Sequence, residues 1–115
     1  MAAGASGPSG IVNLYTLPAR DNAGAQIADQ RITVDSTAGG VQGTAYTQSY
    51  VVTVELDVQD ADVMVTFDGS APTSTNGHRL YAGQMMTWKK ERFNAAKFIR
   101  QGSTNAAIQV SPSAI

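Results

Sequence analysis

The segment 50–58, YVVTVELDV, is the feature that most constrains the fold of this chain. Its apolar residues alternate, so that Tyr50, Val52, Val54, Leu56 and Val58 share one face of an extended strand. A period of two is that of a β-strand with one buried face, whereas an amphipathic helix has a period of 3.6. The segment therefore predicts a strand in an antiparallel sheet that buries one side.

A second strand follows after a short polar turn. Residues 62–67 (DVMVTF) place Val63, Val65 and Phe67 on one face, and residues 59–61 (QDA) separate the two runs. Two alternating runs joined by a few turn residues are typical of a β-hairpin. We therefore predict that 50–58 and 62–67 pair with each other.

Shorter segments extend this pattern along the chain. Val and Ile together outnumber Leu four to one, and β-branched residues favour strands. The whole pattern predicts an all-β fold, a small antiparallel β-sandwich (Ig-like or jelly-roll-like) with an extended N-terminal arm. Besides the two runs above, we predict strands at 31–35, 41–46, 79–82, 85–88, 97–100 and 107–111, and a helical turn within 89–96.

The first ten residues differ in composition from the rest. MAAGASGPSG has no large side chain after Met1, so it cannot bury enough apolar surface to fold alone. It lacks the basic and apolar regions of a signal peptide, and no later segment approaches the ~20 apolar residues of a membrane span. We predict an arm over 1–10, a single β-sandwich domain over 11–115, no export and no membrane insertion.

Composition excludes several classes of site. The 115 residues include no Cys and one His, His78, so disulfides, thiolate metal sites and multi-histidine sites are excluded. The formal net charge of -1 argues against binding nucleic acid by bulk charge. Large catalytic barrels need roughly 200 residues or more. We predict a binding or structural module that is not an enzyme and has no cofactor.

Charge is divided unevenly along the chain. Residues 48–70 contain five acidic residues and no basic one, whereas residues 71–115 carry six basic residues against Glu91. Two opposite poles would attract and orient copies or partners; alternatively, the two segments neutralise each other within the fold or lie on solvated faces. The basic cluster at 89–100 has no ladder of stacking aromatic residues, so we expect no nucleic-acid binding.

Two groups of polar residues are candidates for chemistry, and each has a simpler explanation. Asp57, Asp60 and Asp62 place three carboxylates within six residues, which could hold Ca²⁺, but acidic residues are common in turns. His78 with a nearby Ser and Asp could form a catalytic triad, but no nucleophile motif such as G-x-S-x-G accompanies it. We therefore predict no metal site and no catalytic residue.

The most specific motif lies within residues 63–83, VMVTFDGSAPTSTNGHRLYAG. Asp68 can bond the backbone of a tight turn, Gly69 can adopt a positive φ, and Pro72 fixes its own φ. Thr73 can start the next segment through a local hydrogen bond. The motif therefore predicts a structural loop and not an active site. Its residues are Asp68, Gly69, Ser70, Pro72 and Thr73.

Together with residues 96–103 (AKFIRQGS) and 107–110 (AIQV), this motif resembles small structural proteins of tailed bacteriophages, over roughly the C-terminal half of the chain. It is also similar to β-sandwich modules appended to chitobiases and related glycosidases, whose catalytic domain these residues do not contain. The phage resemblance implies a virion protein, made in the host bacterial cytoplasm. The kind of virion protein that the resemblance first implies is a capsid decoration or cement protein, which binds the major capsid protein and neighbouring copies of itself.

Under this interpretation the extended N-terminal arm and exposed apolar edges bridge neighbouring capsid subunits. A head-tail connector or tail-associated protein is the alternative within the same class. In a different class, a glycan-binding module on the virion would use Trp88, Tyr81 or Tyr50 as a stacking platform, although a Trp on a strand is more commonly a core residue. The predicted interface residues are Ala2, Gly4, Pro8, Ile11, Lys89, Lys90 and Arg92.

Overall fold

The computed structural model describes residues 18–20 and 27–114, which form two antiparallel sheets and one short helix. The predicted small antiparallel β-sandwich is confirmed. The predicted arm over 1–10 lies outside the described residues. In chain order the elements are β1 (Gln30–Val34), β2 (Thr53–Gln59), β3 (Val63–Thr66), β4 (His78–Leu80), β5 (Met85–Lys89), α1 (Lys90–Ala95), β6 (Lys97–Arg100) and β7 (Ala106–Ser113).

The larger sheet has the strand order β1-β7-β2-β5. In β2, Val54, Leu56 and Val58 are buried and the residues between them are partly exposed, as the alternation predicts. Before Thr53 the prediction is wrong, because Val51 is fully buried and Val52 is 46% exposed. Ile108 and Val110 of β7 lie opposite Val58 and Leu56 and are also buried. Burial of one such side chain contributes about 1.5–3 kcal/mol, so this face forms one wall of the core.

The smaller sheet has the order β4-β3-β6 and forms the opposite wall. Val63 of β3 pairs with Leu80 of β4, and Val65 of β3 pairs with Phe98 of β6. All four side chains belong to the same buried cluster as the apolar residues of the larger sheet. The two sheets therefore share a single core.

The predicted hairpin between 50–58 and 62–67 is wrong. One edge of β2 pairs with β5 and the other with β7, so β2 has no edge left for β3. Between them the chain makes a γ-turn: Ala61 N–H donates to Gln59 O over 2.9 Å, and Asp60 has a φ of 75°. This sharp turn leads into the second sheet instead of back along the first.

The strand predicted over 41–46 is also wrong, because only its first residue pairs with a strand. Val41 N–H donates to Phe98 O over 2.7 Å and Phe98 N–H donates to Val41 O over 2.8 Å. Earlier in the same connection, Asp35 O accepts the N–H of Arg100 over 3.0 Å. The chain that leaves β1 in the larger sheet thus covers the outer edge of β6 in the smaller one.

Beyond Val41, side-chain amides take the place of a neighbouring strand. Gln30 Nε2 donates to Thr44 O over 2.9 Å, and Thr44 N–H donates to Gln30 Oε1 over 2.8 Å. Asn94 makes the same pair of bonds with the backbone of Tyr46, over 2.8 and 3.0 Å. Each amide imitates one peptide group, so the backbone groups of Thr44 and Tyr46 are satisfied without a strand.

The helical turn predicted within 89–96 is confirmed as α1, which begins directly after β5. Phe93 is its one buried residue and attaches it to the core. The helix has six residues, and within 18–20 and 27–114 no helix is long and apolar enough to cross a membrane.

A tight approach at Gly43 provides a test of this packing. A Cβ on Gly43 would lie 2.6 Å from Phe93 Cζ and 2.7 Å from Ile32 Cδ1, both in buried side chains. We expect Gly43→Ala to reduce the free energy of unfolding by about 1–3 kcal/mol through overpacking, measured by equilibrium urea unfolding. The control is Gly102→Ala, where a Cβ meets nothing within 4 Å. Equal stability of the two variants would contradict the packing described here.

Candidate interaction surface

The loop motif after β3 is held by its own hydrogen bonds. Asp68 Oδ1 accepts the Ser70 hydroxyl over 2.6 Å and the Ser70 N–H over 3.0 Å. These bonds, first from the hydroxyl and then from the backbone, hold the pKa of Asp68 below its usual value. Gly69 has a φ of 88°, the left-handed conformation that the motif predicts. Asp68 is therefore occupied in shaping the turn.

The second half of the motif fastens the loop to the body. Pro72 is fully buried and lies against Gly40. Thr73 N–H donates to Asn76 O over 3.0 Å, and Thr73 Oγ1 accepts the N–H of Asn76 over 2.9 Å. The predicted local bond of Thr73 is thus present, and these contacts are structural in kind.

The loop also shows why His78 does not complete a triad. His78 lines a groove with Asp68 and Ser70, and its ring centroid lies 5.9 Å from that of Phe67. The Ser70 hydroxyl donates to Asp68 itself, and among the described residues His78 makes no hydrogen bond to a Ser or Asp side chain. A triad requires a nucleophile that is hydrogen-bonded to a base, which in turn is hydrogen-bonded to an orienting acid. These three residues do not form that arrangement.

The acidic turn between β2 and β3 gives its carboxylates separate partners. Within the part of the chain that the structure describes, no group of three His, Cys, Asp or Glu residues could hold a metal ion. The calcium hypothesis for this turn therefore receives no support from the geometry. The pairs are Asp57 with Gln59, Asp60 with Arg31, and Asp62 with Arg79 and Ala82.

Asp62 has the strongest of these partnerships. Its Oδ1 accepts the Ala82 N–H over 2.8 Å, and its Oδ2 accepts Arg79 Nη2 over 2.7 Å and Nε over 3.1 Å. The backbone bond and then the guanidinium hold the pKa of Asp62 below its usual value. Asp62 belongs to the acidic segment and Arg79 to the basic one. Part of the charge division along the sequence is thus neutralised within the fold.

The cross-strand register places Pro18 and the predicted interface residue Lys89 at the same end of the larger sheet. Pro18 bridges Ser113 at the end of β7, Ser113 lies opposite Thr53 at the start of β2, and Thr53 lies opposite Lys89 at the end of β5. Because neighbouring strands are about 4.8 Å apart, Pro18 and Lys89 are separated by about 14 Å. The chain upstream of Pro18 thus joins the body at the end of the sheet that carries Lys89. We refer to Pro18, Ser113, Thr53 and Lys89 as the terminal row.

The basic residues predicted for the interface are not equivalent. Lys90 Nζ donates to the carbonyl oxygen of Gln48 over 2.8 Å and so holds a loop of the body. Lys89 is exposed, and its side chain makes no hydrogen bond or ion pair with another described residue. Lys89 is therefore the cation of this group that is available to a partner. The predicted arm contacts Ala2, Gly4, Pro8 and Ile11 lie outside the described residues.

Arg92, the third predicted cation, covers an aromatic cluster that the sequence analysis missed. Its guanidinium carbon lies 3.7 Å from the centre of the Phe67 ring and 5.9 Å from that of Trp88. Trp88 in turn lies edge-on to Phe67 at 5.1 Å and parallel to Phe98 at 6.2 Å. These rings come from separate parts of the chain, so no local sequence pattern predicts the cluster.

The same contacts bear on the aromatic residues proposed for sugar stacking. Trp88 is partly buried and packs against the core, and so does Tyr50. Tyr81 is 57% exposed, but the Arg79 guanidinium lies 5.1 Å from its ring centre. The three rings therefore do not form a common platform of free aromatic faces.

Comparison with known proteins finds no matching protein-family model, no similar curated protein and no similar solved structure.

The Asp62 contacts predict how stability depends on pH. Because folding lowers the pKa of Asp62, its stabilising effect is fully present above the unfolded value of about 3.9 and is lost as the pH falls towards the folded value. We expect Asp62→Asn to be less stable than the wild type at pH 7 and to approach it below about pH 4. Urea unfolding across this range measures the difference. The charge-matched control is Asp29→Asn, at an exposed carboxyl. If Asp62→Asn loses as much stability at low pH as the wild type does, the assignment is contradicted.

Proposed function

We propose that this protein is a virion structural protein of a tailed bacteriophage that decorates the outer capsid surface and stabilises the head. It adheres through the terminal row and the chain upstream of Pro18, and it performs no catalysis. The terminal row is the observation that carries the proposal, because it places an available cation, Lys89, at the same end of the sheet as Pro18, which follows residues 1–17 in the chain.

An arm gives a small body the contact area that adhesion needs. Stable interfaces bury about 1,200–2,000 Å² in total, a large demand on the surface of a small domain. Residues 1–17, if extended, would span up to about 55–60 Å, enough to cross from one capsid subunit to the next. They carry no acidic or basic side chain, so they would lie against an apolar or backbone-lined groove without desolvating a charged side chain.

The charge at the terminal row favours an acidic partner surface. Lys89 is exposed, and Lys90 follows it at the start of α1. Complementary charge at the rim of an interface mainly raises the association rate and fixes orientation. We therefore place an acidic patch of the major capsid protein opposite Lys89.

The rival functions differ from this one in measurable ways. A connector or tail-associated protein uses the same kind of adhesion but is present in far fewer copies. A glycan-binding module needs a free aromatic platform, and the packing of Trp88 between Phe67 and Phe98 supports a core role for that ring. No observation on the described surface favours the glycan alternative over decoration.

Copy number separates decoration from the connector alternative. We expect quantitative mass spectrometry of purified particles to give hundreds of copies per particle, in a fixed ratio to the major capsid protein. Absence from the particle would contradict the proposed function, and about six or twelve copies would identify a connector ring instead.

Two variants test the surface itself. On particles produced without this protein, we expect both the deletion of residues 2–10 and Lys89→Glu to bind about tenfold or more weakly than the wild type, which corresponds to about 1.4 kcal/mol. Each variant is to be checked for an unchanged unfolding curve. The charge-reversal control is Lys97→Glu in the smaller sheet, whose Nζ donates to the carbonyl oxygen of Gly69 over 3.2 Å. Normal occupancy by the deletion variant, or equal loss in the control, would contradict the assignment of the terminal row.

A further inference from the structure

Strand β5 is an edge strand of the larger sheet, and one edge of its backbone faces away from the sheet. Val58 N–H donates to Gln84 O over 2.9 Å, and Lys90 N–H donates to Val52 O over 3.1 Å. Because bonding alternates along an antiparallel ladder, Met86 and Trp88 also bond towards β2. The N–H and C=O groups of Met85, Thr87 and Lys89 therefore point away from the sheet, and no described strand pairs with them.

The side chains on this edge also leave apolar surface exposed to solvent. Met85 is 66% exposed, the highest value among the large apolar side chains of the described residues. Thr87 is exposed and uncharged, so the only charge on the outward positions is that of Lys89 at one end. Edges of this kind accept an added strand, and proteins that avoid this place charges, Pro or bulges along the middle of the edge.

The other three outer strands are less suitable, and the outer edge of β6 is already covered by the connection that follows β1. In β1 the corresponding outward positions are Arg31 and Thr33, so a charge lies within the strand, and Arg31 is bonded to Gln59 over 2.6 Å. β4 has three residues, which is too short for a stable added strand. The exposed edge of β5 is therefore the one best suited to a new neighbour.

The chain itself contains a matching segment. Residues 11–17, IVNLYTL, have five apolar members, no charge and several β-formers, and end at Pro18. Residues 11–17 cannot all pair with β5 of their own copy. To reach β5 of its own copy, the chain would first have to cross the terminal row, about 14 Å from Pro18 to Lys89, which would use at least four residues at about 3.4 Å each. In one copy, then, the Gly-, Ala- and Ser-rich residues 1–10 would face most of β5, and only a second copy can supply the full run 11–17.

We propose that residues 11–17 of one copy add as a strand to the outward edge of β5 in a second copy. The added strand pairs with the backbone of Met85, Thr87 and Lys89 and covers the exposed Met85 side chain. Its binding needs no capsid, so failure of this inference and failure of the proposed decoration function are distinguishable.

The oligomeric state of the full chain tests the pairing. We expect sedimentation equilibrium to show concentration-dependent association that Thr87→Pro weakens about tenfold or more. Thr33→Pro is the matched control, since Thr33 has the same outward position on the opposite edge of the sheet. Pro at an outward edge position removes no bond within the sheet, so both variants should stay folded, as an unfolding curve verifies. A wild type that remains monomeric at all concentrations, or equal weakening by both variants, would overturn the inference.

Amide hydrogen exchange identifies the occupant directly. We expect the amides of Met85, Thr87 and Lys89 to be protected at high protein concentration, and to exchange at least tenfold faster on dilution or in Leu14→Asp. Fast exchange of these amides in the associated protein would overturn the proposal. Protection that persists in the monomer would also overturn it, because the arm of the same copy would then cover the edge.

Discussion

Strand β2 is hydrogen-bonded along both edges, and the rest of the structure depends on this. With β5 on one side and β7 on the other, β2 cannot accept β3, so the chain turns at Asp60 and begins a second sheet. The core forms because Val54, Leu56 and Val58 then face that second sheet. The same central position makes Thr53, the first residue of β2, the link between Ser113 and Lys89 in the terminal row.

Features that depend on neighbours in the sequence could be predicted, and features that depend on register could not. The alternation in β2 and the turn at Asp68 and Gly69 are local, and the sequence indicates both. The hairpin prediction failed because alternation determines which face is buried but not which strand lies alongside. The strand predicted over 41–46 failed because Gln30 and Asn94 supply the hydrogen bonds with their side chains.

The candidate surface shows the same division. Composition alone indicates an uncharged arm and a cluster of basic residues, but the partner of each basic residue is set by packing. Lys90 holds a loop, Arg92 covers Phe67, and Lys89 is left for a partner. In our account β5 serves two contacts: its end at Lys89 faces the capsid, and its outward edge binds residues 11–17 of a neighbouring copy. A lattice built from such arms would add buried area to the shell without any chemistry.

The central claim is that the terminal row is the face that meets the shell. A cryo-electron microscopy reconstruction of the intact particle tests it most directly. The account predicts the β-sandwich on the outer capsid surface, with Lys89 and Pro18 towards the major capsid protein and the upstream chain continuing between subunits. A sandwich bound through the loop of residues 68–77, with the terminal row facing solvent, would contradict it.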